Sequence, residues 1–319
     1  MRRARTGLRV LFRFLLFNFI FFVFTSPFVA IYGPFPNVRN TVLEAAATSM
    51  HLGRYLAWFV GQSKINQLVD NSLGSGDVVE KLFNFQNTHD QSITLVNING
   101  TRFKGYLLEV KDPTRVKVAV ARNLGQAAGQ TTSQIAREYG AVAAVNAGGF
   151  EDPGGTGTGR LPVGVIIHNG YFLSGGDLKG VQPLVGLTDK GQLVTGWFTI
   201  EEMKRMHVTE GISFYPPLII NGKKQITHGD GGWGIGPRTA IGQRRDGTIL
   251  LLVIDGRQPQ YSVGATLLDV QNILYQNGAY IAANLDGGSS TTMYYNGKVI
   301  NRPADLLGER SVSTAFIVE

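Results

Sequence analysis

From residue 92 onward the chain consists of short β-branched, apolar runs cut by Asn-Gly and Asp-Gly pairs, and this texture constrains its fold more than any other feature. Runs at 93–98, 103–110, 115–121, 141–145, 163–168, 184–187, 218–220, 239–243, 249–254, 280–285, 292–295 and 314–318 predict strands. Asn99-Gly100, Asn169-Gly170, Asn221-Gly222, Asp246-Gly247 and Asn296-Gly297 supply the turns, where the chain needs backbone angles that glycine and asparagine adopt most readily. Helical segments are few. One is expected over 132–139, capped by Thr131 or Thr132. Thr199 with Glu202 makes a capping box for a second, ending near 206, and Thr266 with Asp269 starts a third that stops at Gly278. Strands outnumber helices and do not alternate with them regularly, so residues 92–319 predict an α+β domain with a strand-rich mixed sheet and a few packed helices. The chain has no cysteine, which excludes a disulfide framework and any Cys-ligated metal site.

The N-terminal part has a different character. Arg2, Arg3, Arg5, Arg9 and Arg13 precede the first acidic residue, and half of the 18 phenylalanines fall within 12–35. The formal charge of +7 is therefore local: taking those five arginines from the 30 Lys and Arg leaves a body almost balanced by its 23 acids. Residues 14–32, broken only by Asn18, Thr25, Ser26 and Pro27, approach the roughly 20 residues of a bilayer-spanning helix. The preceding arginines predict a cytoplasmic N-terminus and an extracytoplasmic body. A cleaved signal peptide fits less well, because the run is long and no clear A-x-A site follows. Residues 1–36 thus form the expected Arg-rich end and transmembrane anchor of a single-pass protein of the cell membrane. Residues 37–91 form a helical stalk and linker, with an apolar stripe over 37–62 that could join copies into a homo-oligomer. A cysteine-free body outside the cytoplasm suits a Gram-positive cell-surface protein.

Polar clusters stand at the ends of the apolar runs. They are 146–150, 237–240, 255–257 and 284–290, with 308–312 before the last strand. Asp255 and Asp286 each follow a fully apolar run, and a carboxylate there is costly to bury unless an arginine, a metal or backbone amides meet it. Arg238, Arg257 and Arg310 are the available cations. Arginines with carboxylates at strand ends suit an anionic, hydroxyl-rich substrate. The glycine run at 154–159 lacks the Lys and Ser/Thr of a P-loop and reads as a loop beside the site. No stripe of basic residues suits a nucleic-acid backbone.

At these clusters the chain resembles the phosphodiester glycosidase family, which includes bacterial exopolysaccharide-associated proteins. Arg238-Thr239-Ala240-Ile241-Gly242, Asp255-Gly256-Arg257, Tyr261 to Thr266, Asn284-Leu285-Asp286-Gly287-Gly288-Ser289-Ser290, Asn301-Arg302-Pro303 and Glu309-Arg310 occur in the family's order. Asn146 to Phe150 is similar to the family's Asn-Gly-Gly-Phe stretch with Ala147 inserted. Ser289 stands where many members have glycine, and Ser311 where many have proline. The resemblance covers about residues 92–319. It implies hydrolysis of a sugar 1-phosphodiester, of the N-acetylglucosamine 1-phosphate type, at the C1–O bond. The substrate would be a cell-surface or exopolysaccharide phosphoglycan.

It further implies Asp286, Asp255 and Glu309 as the catalytic set, with the order of the two aspartates open. Asn146, Gly148, Gly149, Arg238, Thr239, Arg257, Gly287, Gly288, Ser289, Ser290 and Arg310 would bind substrate, Arg238 and Arg310 at the phosphate; His228 joins these substrate-binding candidates independently of the resemblance, as the one histidine in a polar, glycine-rich loop. No cofactor is required, and a structural divalent cation is left open. Two other readings use the same residues: a non-catalytic phosphoglycan-binding module, and a metal-dependent phosphodiesterase that cleaves P–O with Asp255, Asp286 and His228 as ligands.

Overall fold

The computed structural model describes residues 2–34, 83, 85–122, 124–151, 157–305 and 307–319. The chain divides into two units, Met1–Ser72 and Leu73–Glu319. The expected stalk at 37–62 lies outside the described residues.

In the first unit, helix α1 (Arg2–Tyr32) carries the phenylalanine-rich run. Its polar breaks fold back on the helix: Asn18 Nδ2 donates to Phe14 O at 2.8 Å and Thr25 Oγ1 to Phe21 O at 2.7 Å. Among the described residues no helix is long and apolar enough to cross a membrane. The spanning helix expected over 14–32 is therefore not found. Phe12, Phe14, Phe17, Phe19 and Phe22 are largely exposed.

In the second unit, the strands form three larger sheets around one core. The first sheet has seven strands, in the order Ile93–Asn99, Lys104–Val110, Ile249–Ile254, Arg238–Arg244, Ala279–Leu285, Pro217–Ile220 and Lys223–Lys224. The second has five: Lys298–Val299, Met293–Tyr295, Ala143–Asn146, Thr314–Val318 and Val116–Val120. The third also has five: Leu193–Phe198, Gln182–Thr188, Val208–Ile212, Ile166–His168 and Tyr171–Ser174. The pairings among the described strands are antiparallel, and the five Asn-Gly and Asp-Gly turns each close a hairpin among them.

Each sheet turns one face to a shared core, where Leu251, Ile241 and Ile281 meet Val145 and Phe316 and also Val185 and Ile212. Each outer face is covered by one helix. Helix α2 (Thr132–Glu138) packs Ile135 on Ala144 and Ile317 of the second sheet. Helix α3 (Ile200–Arg205) packs Met203 on Leu184 and Val194 of the third. Helix α4 (Leu267–Gln276) packs Val270 and Leu274 on Leu250 and Leu252 of the first. Strands buried on both faces leave no solvent side to carry polar residues, which is why 249–254 and 279–285 read as nearly unbroken apolar runs. Thr131, Thr199 and Thr266 each close a capping box, with Gln134, Glu202 and Asp269.

The body also extends N-terminal to Ser92. The Phe83 ring lies 5.1 Å from that of Tyr280, edge to face. Asn87, His89 and Gln91 all hydrogen-bond the carboxylate of Asp112. Burial pushes the Asp112 carboxyl up, but the donors from Thr114, Asn87 and His89 outweigh it and hold the group down to about 2.

Candidate active site

The site forms where strand Ala143–Asn146 of the second sheet meets the start of Arg238–Arg244 and the end of Ala279–Leu285 in the first. Asn146 ties these ends together. It is fully buried. Its Oδ1 accepts from Thr239 Oγ1 at 2.8 Å and from the Thr292 amide at 3.1 Å, while its Nδ2 donates to the Asp286 carbonyl. The Asp286 amide answers by donating to Ala147 O at 3.0 Å. Thr314 Oγ1 accepts from the Gly148 amide at 2.9 Å, fixing the next turn of chain. Asn146 and Thr239, expected to touch substrate, spend their polar atoms on this frame.

The frame aims the segment Asp286–Ser290. Gly287 lies against the Pro237–Arg238 backbone, where an added Cβ would stand 2.9 Å from Pro237 O. Gly288 has φ +62° and donates its amide to the same carbonyl at 3.0 Å. Both positions therefore require glycine. Asp286 keeps a partial opening to solvent. Protein surrounds it densely enough that burial pushes its carboxyl up to about 6, against the opposing pull of the Ser290 hydroxyl, the Arg310 charge and the Gly287 amide.

Two arginines approach this turn. Arg310 stands near Asp286 with its guanidinium 5.2 Å above the Phe150 ring, and Gly157 lies so close that an added Cβ would be 2.8 Å from Arg310 Nε. Arg257, exposed and held at φ +59°, donates from Nη1 to Ser289 Oγ at 3.1 Å. A partly exposed aspartate with a raised carboxyl pKa, two guanidinium groups and a glycine turn is an arrangement that can bind an anion and move charge or a proton beside it.

Other expected site residues are placed differently. Asp255 is fully buried, and its Oδ1 accepts from Asn301 Nδ2 at 3.0 Å and from the Arg302 amide at 2.9 Å. Burial raises its pKa despite these donors. The two aspartates thus differ in surroundings: Asp255 is closed off from solvent among Asn301 and Arg302, and Asp286 is partly exposed at the glycine turn. Glu309 has partners of its own. Its Oε1 accepts from Ser133 Oγ at 2.5 Å and its Oε2 from the Ser133 amide at 2.9 Å, which commits the carboxylate to the first turn of α2.

Arg238 is only 6% exposed, and its side chain is turned toward the 233–234 loop: Nε donates to Ala265 O at 3.0 Å, and Nη2 to Trp233 O at 2.6 Å and Gly234 O at 2.5 Å. Burial and the Arg257 charge lower its pKa to about 10, which leaves it cationic at neutral pH while it braces these three backbone carbonyls. His228 is exposed, and its Nδ1 lies 2.9 Å from the neighbouring Thr227 Oγ1. Among the described residues no group of three His, Asp, Glu or Cys side chains could hold a metal ion together.

One feature escaped the sequence reading. Trp197, Phe214, Tyr215 and Trp233 form a connected band of rings: Trp197–Tyr215 at 6.3 Å, Phe214–Tyr215 at 5.9 Å, Phe214–Trp233 at 5.9 Å and Tyr215–Trp233 at 5.6 Å between centroids. Its near end is Phe214, 3.3 Å from where a Cβ on Gly149 would sit. Arg238 holds the Trp233 carbonyl, and Asn284 Nδ2 holds the Tyr215 carbonyl at 3.0 Å. The sequence signal was the Phe214-Tyr215-Pro216-Pro217 junction and a lone Trp233 in a glycine-rich loop, too short to show periodicity.

The family model for phosphodiester glycosidase matches residues 139–319, more than half of the chain. The N-acetylglucosamine-1-phosphodiester alpha-N-acetylglucosaminidase of Bos taurus is 30% identical over 195 residues, covering 55% of this chain and 35% of the relative. The Mus musculus enzyme of the same name is 28% identical over 233 residues, covering 66% of this chain and 43% of its own length. This chain thus spans well under half the length of these two relatives. Among solved structures, the zebrafish catalytic domain of that enzyme, auto-inhibited by its pro-peptide, superposes with a TM-score of 0.59 at 22% identity. That match covers 75% of this chain and 87% of the other.

Proposed function

Because the chain belongs to the phosphodiester glycosidase family, we propose that it hydrolyses a sugar 1-phosphodiester of the N-acetylglucosamine type at the C1–O bond, releasing the sugar and leaving the phosphate on its acceptor. The observation that carries this reading is Asp286: a partly open carboxyl group, pushed up to about 6, with Arg310 beside it and Arg257 at the same glycine turn.

Asp286, ionised at neutral pH, supplies the carboxylate at the anomeric carbon. Arg310 and Arg257 hold the diester's negative charge and stabilise the phosphate as the C1–O bond breaks. A phosphate monoester is a fair leaving group, so the reaction proceeds without a second carboxyl as general acid. This accords with the enclosure of Asp255 and the commitment of Glu309 to Ser133. Asn146 and Thr239 hold Asp286 in place from behind. The anomeric configuration of the released sugar separates direct attack by Asp286 from activation of a water.

In the same reading, the physiological substrates are cell-surface or exopolysaccharide phosphoglycans, and the exposed phenylalanines of α1, with the arginines that precede them, attach the chain to a lipid bilayer. The test is to incubate the full chain with a panel of sugar 1-phosphodiesters and identify products by mass and anomeric NMR. Free sugar plus a phosphate monoester supports the reading. Affinity without release identifies a binding module instead.

A further inference from the structure

We propose that the aromatic band formed by Trp197, Phe214, Tyr215 and Trp233 is a saccharide-stacking subsite that selects the sugar side of the substrate. The inference rests on the Asp286 reaction above only for the identity of the sugar.

All four rings are partly exposed, with Phe214 and Trp233 resting on the core, while Phe198 and Ser213, the chain neighbours of Trp197 and Phe214, are closed off from solvent. Large aromatic side chains contribute most to stability when fully buried. Four that keep part of their surface open, in mutual contact and beside the site, present ring faces that a ligand can cover. The band is also supported from behind at two points, by Arg238 on the Trp233 carbonyl and by Asn284 on the Tyr215 carbonyl. Both supports come from the strands that carry the site, since Arg238 starts one and Asn284 stands two residues before Asp286. The near end of the band meets Gly149, three residues beyond the Asn146 that bonds the Asp286 carbonyl.

The chemistry of such a surface favours a sugar over a second anion. Ring faces attract the C–H face of a pyranose and offer nothing to a phosphate, while tyrosine and tryptophan keep a polar edge for hydroxyls. The anionic half of a sugar phosphodiester then falls to Arg310 and Arg257, and the sugar half to the band.

The test titrates the full chain with neutral probes that cannot use the arginines, N-acetylglucosamine and its di- and trisaccharide, and follows tryptophan fluorescence and isothermal heats. Saturable binding is expected. Phe214→Ala and Phe214→Leu should each weaken it by about tenfold or more, and Phe214→Tyr should retain it. Leucine fills the space but lacks the ring face, so equal binding by Phe214→Leu and the parent overturns the proposal. Absence of saturable binding to all three sugars overturns it too. With a cleavable diester, the two weakened variants should raise KM and largely keep kcat. A parent that binds them but cleaves no diester leaves this subsite standing and refutes the hydrolase reading alone.

Discussion

At the scale of single residues, the two aspartates at the ends of apolar strands part company. Asp286 faces Arg310 and a partial opening, with its carboxyl raised from 3.8 to about 6. Turnover that needs the ionised form should therefore fall as pH drops through about 6, and Asp286→Asn should remove it by about a thousandfold or more in kcat. Linkage gives a second readout. A raised native pKa means the folded chain holds this proton more tightly than the unfolded chain does. Stability from this group is thus present below about 4 and is lost as pH rises toward about 6. Urea titrations should show that decline in the parent and not in Asp286→Asn. Asp255 behaves differently. Its buried Oδ1 serves Asn301 and the Arg302 amide, so Asp255→Ala leaves two donors without an acceptor and should cost about 2–3 kcal/mol in chemical denaturation. Asp255→Asn keeps that acceptor and should retain turnover in the parental range. The two residues look alike in sequence because both end apolar runs before a glycine. Their partners, Arg310 and Asn301, come from loop positions 24 and 46 residues further along the chain, which local pattern does not reveal.

At the scale of elements, the most legible features were those whose partners lie close in the chain. The capping boxes at Thr199 and Thr266 close over three residues, and the hairpins turn at their Asn-Gly and Asp-Gly pairs. Glu309 illustrates what was not legible. Its carboxylate joins α2 across 176 residues, capping Ser133 through both amide and hydroxyl. Losing those bonds in Glu309→Ala should destabilise the chain by about 2 kcal/mol and loosen the adjoining Arg310, while Glu309→Gln, which still offers an acceptor, should retain most of the stability. Thermal melts paired with KM for a diester check both parts. An unchanged melt with lost turnover would instead mark Glu309 as touching substrate. The aromatic band was missed for a similar reason: Trp197, Phe214 and Trp233 come from three separate segments and meet only in space.

At the scale of the whole molecule, three sheets share one core and each carries a helix on its outer face, and the strand ends of two of them present the site. Charge counting over the whole chain obscured this arrangement, because the arginines of the first 13 residues dominate the total while the body is almost balanced. Attachment through α1 predicts that the full chain floats with anionic vesicles and that a chain lacking residues 1–34 does not, with equal turnover of a soluble diester by both. Flotation unaffected by the deletion would contradict that attachment. The central claim concerns which bond is cut, and oxygen-18 water tests it most directly. With an N-acetylglucosamine 1-phosphodiester, cleavage at C1–O predicts a phosphate monoester carrying no solvent oxygen, read by mass and phosphorus NMR. Solvent oxygen-18 in the phosphate would place the cut at P–O and contradict the assignment of Asp286 to the anomeric carbon.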